Sequence, residues 1–317
     1  MKPFATYKSD SVAALGEERL IGAIRRWLGN ATPPAPHGIG DDCAVLPQAK
    51  KNQAITVDPV IYGRHFDDAV PPQAVGAKLL KRNLSDLAAM GARPTAAVIA
   101  LTLDPSTSQR WLEKFYRGLA ACAREYRVPI VGGDVAQADG VIAASLTLLG
   151  EAVGSRMLFR KGARIGDWIY VTGLLGGSLA GHHFKFKPRL AEGAWLAARR
   201  ETRSLIDVSD GPAKDLRALT PEKAEAALDP ASLPISREAH LLAKNSGRTP
   251  LDHALSDGED YELLFAVAKN TNRPAFERAW RQRFKTPLSC LGRFVPLGHR
   301  RAETIDLSQY HGYEHLR

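Results

Sequence analysis

The chain has 317 residues, of which 44% are hydrophobic and 24% charged, and its formal net charge at pH 7 is +9. This composition predicts a soluble globular protein of about two domains. No apolar run approaches the roughly 20 residues of a membrane-spanning helix, and the first ten residues carry no apolar stretch typical of a secretory signal.

The cysteine content and the charge restrict the environment and the partners of the protein. Cys43, Cys122 and Cys290 lie far apart, which excludes a disulfide framework and a zinc-like spacing. We therefore expect a cytoplasmic protein. The basic charge favours anionic partners such as phosphorylated small molecules. Nucleic acid as a partner would rest on charge alone, because the chain contains no recognised nucleic-acid-binding module, so we expect neither nucleic acid nor a membrane as a partner.

Hydrophobic spacing divides the first half of the chain into alternating helices and strands. Apolar residues at helical spacing predict helices over 15–29, 73–90 and 107–126. Short apolar runs predict strands over 43–46, 54–57, 96–103, 128–131 and 141–150.

The second half, which begins near residue 155, shows the same mixed pattern. A strand over 167–173 runs into a glycine-rich turn, and Pro212 suits the first turn of a helix that Ser209 or Asp210 could cap. The other predicted elements are helices over 176–184, 189–200 and 273–284 and strands over 261–268 and 288–294. The alternation predicts an α/β or α+β protein. We place an N-terminal domain at residues 1–152 and a C-terminal α+β domain at residues 153–317.

Several aspartates lie where the apolar patterning ends. A single Asp beside Gly is usually a turn or capping residue. So many acids beside glycines are also what a site for several metal ions requires, since Mg²⁺ binds carboxylate oxygens and completes its octahedron with water and phosphate. The acids are Asp41, Asp42, Asp58, Asp86, Asp134, Asp207 and Asp210.

Glycine pairs near these acids are candidates to hold phosphate oxygens through backbone N–H groups, or they are ordinary turns. They are Gly38 with Gly40, Gly132 with Gly133, and Gly173 with Gly176 and Gly177. The P-loop, the dinucleotide-binding glycine motif and the protein-kinase motifs are all absent from the sequence. Any nucleotide chemistry must therefore use another scaffold.

Eight segments spread over nearly the whole chain carry a family resemblance. They are GIGDDCAVL (38–46), GRHF (63–66), NLSDLAAMGARP (83–94), GGD (132–134), RKGARIGDWIYVTG (160–173), IDVSDGPAKDL (206–216), LSDGEDYELLF (255–265) and GYEH (312–315). In this order they resemble the thiamine-monophosphate kinase family, which belongs with aminoimidazole ribonucleotide synthetase and selenophosphate synthetase. The resemblance implies a two-domain aminoimidazole ribonucleotide synthetase-like fold. It also implies a homodimer in which N-terminal strands of both subunits form a barrel.

The same resemblance implies an activity and a set of site residues. The expected reaction is the ATP- and Mg²⁺-dependent phosphorylation of thiamine monophosphate to thiamine diphosphate by direct in-line transfer. No residue is expected to act as general base, because the nucleophile is an ionised phosphate oxygen. By motif position, the ligands of several Mg²⁺ ions would be Asp42, Thr56, Asp58, Asp86, Asp134, Asp207 and Asp210. The ATP contacts would be Gly133, Asp134, Arg160 and Ser209, and the contacts to thiamine monophosphate would be His65, Glu259 and Tyr313.

The chain departs from the family pattern at a few positions. Val57 lacks the hydroxyl of the usual Thr, so we expect one metal contact to change, and residues 135–137 replace a Thr-Thr-Arg run. Lys81 and Arg82 stand where small apolar residues are usual, and our hypothesis is that they supply part of the missing positive charge. These departures leave two alternatives: a catalytically silent protein that binds nucleotide or thiamine phosphate, or another ATP-dependent enzyme of the superfamily.

Overall fold

The computed structural model describes residues 1–34, 37–39 and 46–314. The chain divides into two compact units. Unit 1 comprises Met1–Leu87 and Arg93–Glu151, and unit 2 comprises Ala88–Ala92 and Ala152–Arg317. Among the helices that are described, none has both the length and the apolar composition needed to cross a bilayer. Of the strand predicted at 43–46, residues 43–45 lie outside the described part of the chain.

Unit 1 contains a mixed sheet and four of the described helices. In chain order its elements are α1 (Val12–Leu15), α2 (Glu17–Leu28), β1 (Gln53–Ile61), α3 (Pro72–Met90), β2 (Ala92–Leu103), α4 (Gln109–Tyr126), β3 (Ile130–Gln137) and β4 (Ile142–Ala152). The last three residues of α3, the first residue of β2 and the last residue of β4 belong to unit 2. The three helices predicted from periodicity in this half are confirmed.

The sheet of unit 1 has the strand order β1-β4-β2-β3, with β1 and β4 antiparallel and β2 and β3 parallel. Its inner face packs on α4, where Trp111 and Phe115 line the same small cavity as Leu101 and Leu103 of β2. The opposite face is more open, since Val98 on β2 is 39% exposed while both of its neighbours are buried.

Two predicted strand ends lie inside longer strands. Asp58 was expected to end a strand, but β1 continues through Pro59, which pairs with Ser145. Proline is tolerated there because β1 is an edge strand. Asp134 likewise lies within β3, because Gly133 lets that strand run close against β2: a Cβ at Gly133 would lie 2.2 Å from the carbonyl oxygen of Ile99.

Unit 2 is an antiparallel sheet between two layers of helices, as expected for an α+β fold. In chain order its elements are β5 (Trp168–Thr172), α5 (His182–Lys185), α6 (Leu190–Ala197), β6 (Thr202–Asp207), α7 (Pro212–Leu219), β7 (Ala224–Leu228), α8 (Arg237–Ser246), α9 (Pro250–Ser256), β8 (Leu263–Val267), α10 (Arg273–Arg283) and β9 (Leu288–Pro296). The strand order among these residues is β6-β8-β5-β9-β7.

Strand β8 is a continuous run of apolar residues without polar alternation. Leu264 and Ala266 belong to a core cluster that includes residues of α7 and α9, whereas Leu263 and Phe265 belong to a cluster with Trp280 of α10. Both faces of β8 are therefore buried. The helix predicted over 176–184 is instead a 3-10 turn followed by the single turn of α5.

A glycine pair sets the contact between α3 and α4. A Cβ added at Gly118 of α4 would lie 2.0 Å from the carbonyl oxygen of Gln73, and one added at Gly76 of α3 would lie 2.0 Å from that of Phe115. Neither backbone can yield locally, so the two helices can approach this closely only because both positions lack a side chain.

Gly118→Ala is expected to lower the free energy of unfolding by about 1–3 kcal/mol, because the added methyl overpacks a backbone contact. The matched control is Gly22→Ala on α2, where the nearest atom to a new Cβ is Arg26 Nη1 at 3.6 Å. This control should raise stability by about 0.5–1 kcal/mol through helix propensity. Urea unfolding of both variants measures the difference, and equal effects of the same sign would contradict the packing argument.

Candidate functional site

Strand β1 and helix α3 present four polar side chains to each other in unit 1. Thr56 and Asp58 are two residues apart on one face of β1, and Arg82 and Asp86 are four apart on one face of α3. Thr56 Oγ1 donates a hydrogen bond to Asp86 Oδ2. Arg82 Nη2 lies 3.2 Å from Asp58 Oδ1, and its Nη1 donates to the carbonyl oxygen of Pro59 at 2.5 Å. Three of the predicted metal ligands therefore lie in one small cluster.

The side chain of Val57 lies on the other face of β1. It is 61% exposed, whereas Thr56 and Asp58 are half-buried against α3. A hydroxyl at this position would point away from Asp86 by strand alternation. The exchange of a hydroxyl for a methyl group at Val57 consequently leaves the side chains of this cluster unchanged.

The donor set of this cluster suits a hard cation. Thr56, Asp58 and Asp86 offer only oxygen atoms, and Mg²⁺ needs just one or two protein carboxylates besides water and phosphate oxygens. Within the described ranges, no three His, Cys, Asp or Glu side chains converge as a self-sufficient metal site. The predicted ligand Asp42 lies outside the described residues.

His65 follows β1 in a tight turn whose bonds fix the ring. Its Nδ1 accepts a hydrogen bond from the N–H of Ile61 at 3.1 Å. Its carbonyl oxygen accepts one at 2.9 Å from Nζ of Lys78, a fully buried lysine on α3. Because Nδ1 is an acceptor, a neutral imidazole carries its proton on Nε2.

A cleft in unit 1 ends at the predicted ATP residues Gly133 and Asp134. Its lining is otherwise mainly apolar and comes from α2, α4, β2 and β3; it includes Ile21, Ile24, Leu28, Tyr116 and Ile130. Sequence reasoning predicted only a helix over 107–126 and did not single out Tyr116. Burial raises the pKa of this tyrosine, so its hydroxyl stays protonated. No sequence signal distinguishes a cleft tyrosine from a core tyrosine on the same helical face.

In unit 2, the loop after β6 is held by a buried carboxylate. Oδ2 of Asp215 accepts hydrogen bonds at 3.0–3.1 Å from the backbone N–H groups of Ser209, Asp210 and Gly211. Ser209 and Asp210 were predicted as side-chain caps of α7, and neither caps it. Their own N–H groups instead donate to the Asp215 side chain. Burial raises the pKa of Asp215 to about 7, although these three bonds act in the opposite direction. Asp207 is buried at the end of β6.

Glu259 lies beside this loop in a left-handed backbone conformation, with φ of 53°. Its N–H donates to the carbonyl oxygen of Ser209 at 2.8 Å. Its carboxylate accepts a hydrogen bond from the hydroxyl of Tyr261 at 3.1 Å and lies 3.7 Å from Nδ1 of His183. A non-glycine residue in this region is strained, and such strain persists where surrounding bonds hold it.

Tyr313 is fixed to the same loop through its backbone. Its N–H donates to the carbonyl oxygen of Asp210 at 2.8 Å, and its carbonyl oxygen accepts from Lys214 Nζ at 2.7 Å. Lys214 Nζ also lies 2.7 Å from Asp210 Oδ2. Tyr313 is 47% exposed. Arg160 is exposed in the segment before β5.

Comparison with known proteins places the chain in a family. Residues 40–152 match the model described as AIR synthase related protein, N-terminal domain. The thiamine-monophosphate kinase of Rhodopirellula baltica is 40% identical over 261 residues, which are 79% of this chain and 82% of that relative. The chain belongs to the thiamine-monophosphate kinase family.

Two solved structures of thiamine-monophosphate kinase type share the fold. The enzyme of Stenotrophomonas maltophilia K279a has 31% identity and a TM-score of 0.75, covering 86% of this chain and 93% of its own. AaThiL complexed with AMPPCP and TMP has 26% identity and a TM-score of 0.71, covering 96% and 98%. The predicted aminoimidazole ribonucleotide synthetase-like fold is confirmed.

Most acids of the thiamine-monophosphate kinase segment LSDGEDYELLF are structural. The side chain of Asp257 is only 1% exposed, and it bonds Arg248 Nη1 at 2.6 Å and His253 Nδ1 at 2.7 Å. Asp260 is buried and accepts from the N–H of Gly176 at 2.9 Å, so the turn interpretation of that glycine is the correct one. Burial raises the pKa of Asp260 well above its ordinary value.

Glu262, in the same segment, forms a buried bidentate ion pair. Arg189 Nη2 and Nε lie 2.5 and 2.8 Å from its two carboxylate oxygens, and the Thr172 hydroxyl donates to it at 2.6 Å. Among the four acids of residues 257–262, Glu259 is the most exposed, at 30% of its side chain against 3% for Glu262.

Arg189→Ala is expected to lower the free energy of unfolding by about 3–5 kcal/mol, because the Glu262 carboxylate stays buried without its cation. Arg93→Ala is the control, since Arg93 is 65% exposed in its pair with Glu151; its cost should not exceed about 1 kcal/mol. Thermal and denaturant unfolding measure both. A comparable decrease in the free energy of unfolding of the two variants would contradict the expected cost of breaking the buried Arg189–Glu262 pair.

Proposed function

We propose that this chain uses ATP to phosphorylate thiamine monophosphate, giving thiamine diphosphate and ADP. The observation that carries the proposal is the match to AaThiL complexed with AMPPCP and TMP, because it extends over 96% of this chain. Identity of 40% to the thiamine-monophosphate kinase of Rhodopirellula baltica supports the same reaction.

The cleft of unit 1 supports the binding of the nucleotide. Isoleucines and Tyr116 provide an apolar lining suited to a flat base, and the cleft ends at Gly133 and Asp134. We assign Gly133, Asp134, Arg160 and Ser209 as ATP contacts. Arg160 is exposed and always charged, so it can meet phosphate oxygens bidentately.

Oxygen donors in both units support dependence on magnesium. Thr56, Asp58 and Asp86 form one donor set, and our assigned ligands also include Asp42, Asp134, Asp207 and Asp210. Magnesium bound there would offset the charge of the phosphates and favour in-line transfer. No general base is required, since the acceptor is already an ionised phosphate oxygen.

Three residues have the chemistry to recognise thiamine monophosphate. His65 can donate from Nε2 to the phosphate group, because its Nδ1 is occupied by the N–H of Ile61. Glu259 offers a fixed carboxylate that favours the positive thiazolium ring. Tyr313 offers an exposed aromatic face that can stack against the same cation.

The test mixes purified protein, ATP, Mg²⁺ and thiamine monophosphate and measures thiamine diphosphate and ADP, which should form in equal amounts. Asp86→Asn should lower kcat by at least about 100-fold, since a bound metal ion contributes several kcal/mol to the barrier reduction. The control is Asp139→Asn, which removes an exposed carboxylate of the β3–β4 turn and should leave kcat unchanged. Binding of both ligands without any product would instead establish a silent binding protein.

The open face of the unit 1 sheet is suited to binding a second copy of this chain. Ile55 is 70% exposed, Val57 is 61% exposed, and Val98 is 39% exposed, although all three lie on strands. Exposed apolar side chains clustered on a sheet face indicate an interaction surface. We assign this face to a homodimer in which the strands of two subunits pack together.

Val57→Lys should convert the dimer into a monomer, because a charge at the centre of the apolar face would be desolvated on assembly. Leu241→Lys is the control, since Leu241 is 49% exposed on α8 of unit 2 and should leave the dimer intact. Light scattering coupled to size-exclusion chromatography gives the masses. Dimers of unchanged stability in both variants would rule out this face as the interface.

A further inference from the structure

Helices α8 and α9 bring a serine, a histidine and an aspartate into one hydrogen-bonded line within unit 2. Oγ of Ser246 lies 2.7 Å from Nε2 of His253. Nδ1 of the same ring lies 2.7 Å from Oδ2 of Asp257. We assign none of these side chains to ATP, Mg²⁺ or thiamine monophosphate. A hydroxyl, an imidazole and a carboxylate in this order have the arrangement of a nucleophile, its general base and the group that orients the base.

The local sequence places these side chains through the ends of two helices. Ser246 is the last residue of α8, and Gly247 ends that helix in the left-handed conformation, with φ of 72°. Thr249 is already the N-cap of α9, so the connection is short. His253 and Asp257 are four positions apart, at the middle and the C-terminal end of α9, and therefore share one face of it.

The carboxylate fixes the position of the imidazole proton. Asp257 Oδ2 accepts from Nδ1, so a neutral ring has a lone pair on Nε2. The Ser246 hydroxyl therefore donates to Nε2, while its oxygen accepts the N–H of Arg248 at 3.2 Å. Arg248 Nη1 also holds the second carboxylate oxygen, Asp257 Oδ1, at 2.6 Å. These bonds orient the serine proton for transfer to His253.

Burial differs along the line in the way that a nucleophile and its base require. His253 is 1% exposed, and the side chain of Asp257 is 1% exposed. Their hydrogen bond is strengthened by the low dielectric of the interior. Ser246, in contrast, is exposed, as are its neighbours Asn245 and Gly247. A molecule from solvent can consequently reach the hydroxyl but not displace the base.

The surroundings of Ser246 limit the kind of substrate. In the α/β-hydrolases, the N–H of the residue after the nucleophile stabilises the oxyanion. That residue is Gly247 here, which is exposed. One such donor contributes about 10²–10³ in rate, so we expect slow turnover. A small ester whose leaving group departs easily, such as an aryl ester, suits an exposed serine with this modest assistance.

We propose that Ser246 is a nucleophile with His253 as its general base, and that unit 2 hydrolyses small aryl esters independently of phosphoryl transfer. Ser246 Oγ bonds to the acyl carbon as its proton passes to Nε2. The bond to the aryl oxygen then breaks, and the leaving phenol takes that proton. Water attacks the acyl-serine and gives a proton to Nε2, the carboxylic acid leaves, and Ser246 Oγ recovers the proton. Asp257 is a positioning residue that acts through His253.

The first experiment treats the full-length protein with diisopropyl fluorophosphate. An activated serine forms an O–P bond with this probe as fluoride leaves and the serine proton passes to its base. Peptide mass spectrometry should show Ser246 reacting at least about 100-fold faster than Ser308, because general-base assistance contributes a factor of that size. Ser308 is the matched internal control, since it is exposed and its Oγ donates to a carboxylate, Asp306 Oδ1, at 2.8 Å instead of to an imidazole.

Variants separate reactivity from stability. His253→Gln and Asp257→Asn should each lower the labelling rate at Ser246 by at least about 100-fold. Urea unfolding gives the folded fraction of each variant, and the rate is taken per folded molecule. A purely structural role of Asp257 would change stability but not the reactivity of the folded chain.

Ser246→Ala keeps the proposal testable if the variants of the buried residues fold poorly. It should abolish the hydrolysis of p-nitrophenyl acetate that the wild-type chain and Ser308→Ala share, and it should leave the phosphorylation of thiamine monophosphate unchanged. Equal labelling of Ser246 and Ser308 overturns the proposal, and so does ester hydrolysis that persists in Ser246→Ala. Neither result affects the proposed kinase activity, which is measured separately.

Discussion

The candidate metal cluster depends on a match between two backbone repeats. Two residues along a strand advance roughly 6.6 Å, and four residues along a helix advance roughly 6.0 Å. Thr56 and Asp58 therefore stand opposite Asp86 and Arg82, in that order, with the strand and helix aligned. A slip of one residue in β1 would turn both polar side chains to the open face and bring Val57 inward. The pairing of β1 with β4 fixes this register.

In unit 2, buried charge fixes the geometry of the loops near the proposed substrate residues. Asp215 accepts hydrogen bonds from three N–H groups of the loop after β6. Asp257, Asp260 and Glu262 accept hydrogen bonds from other side-chain or backbone groups. Glu259 lies between Asp257 and Asp260 in the sequence, and its backbone is bonded to Ser209. The strained conformation of Glu259 persists because its neighbours on both sides are anchored. This anchoring holds the Glu259 carboxylate in a fixed position beside Tyr261.

Sequence periodicity could predict the long elements but not the roles of individual acids. Helices α3 and α4 carry apolar stripes that no strand could bury, so their positions follow from the sequence. Strand β7 (AEAAL) was missed because its alanines favour helix, and only pairing with β9 makes it a strand. Asp58 was wrongly expected to end a strand. Pro59 normally breaks a strand, but proline is tolerated in an edge strand such as β1. Asp260 and Glu262 carried no local signal, since their partners Gly176 and Arg189 lie 84 and 73 positions away in the sequence.

Electrostatic balance gives a common reason for the basic residues beside the candidate ligands. Asp58 in unit 1 is paired with Arg82, and Asp210 in unit 2 is paired with Lys214. Without cations, clustered carboxylates repel one another and raise the free energy of the folded chain. A resident arginine or lysine relieves that repulsion before any ligand arrives.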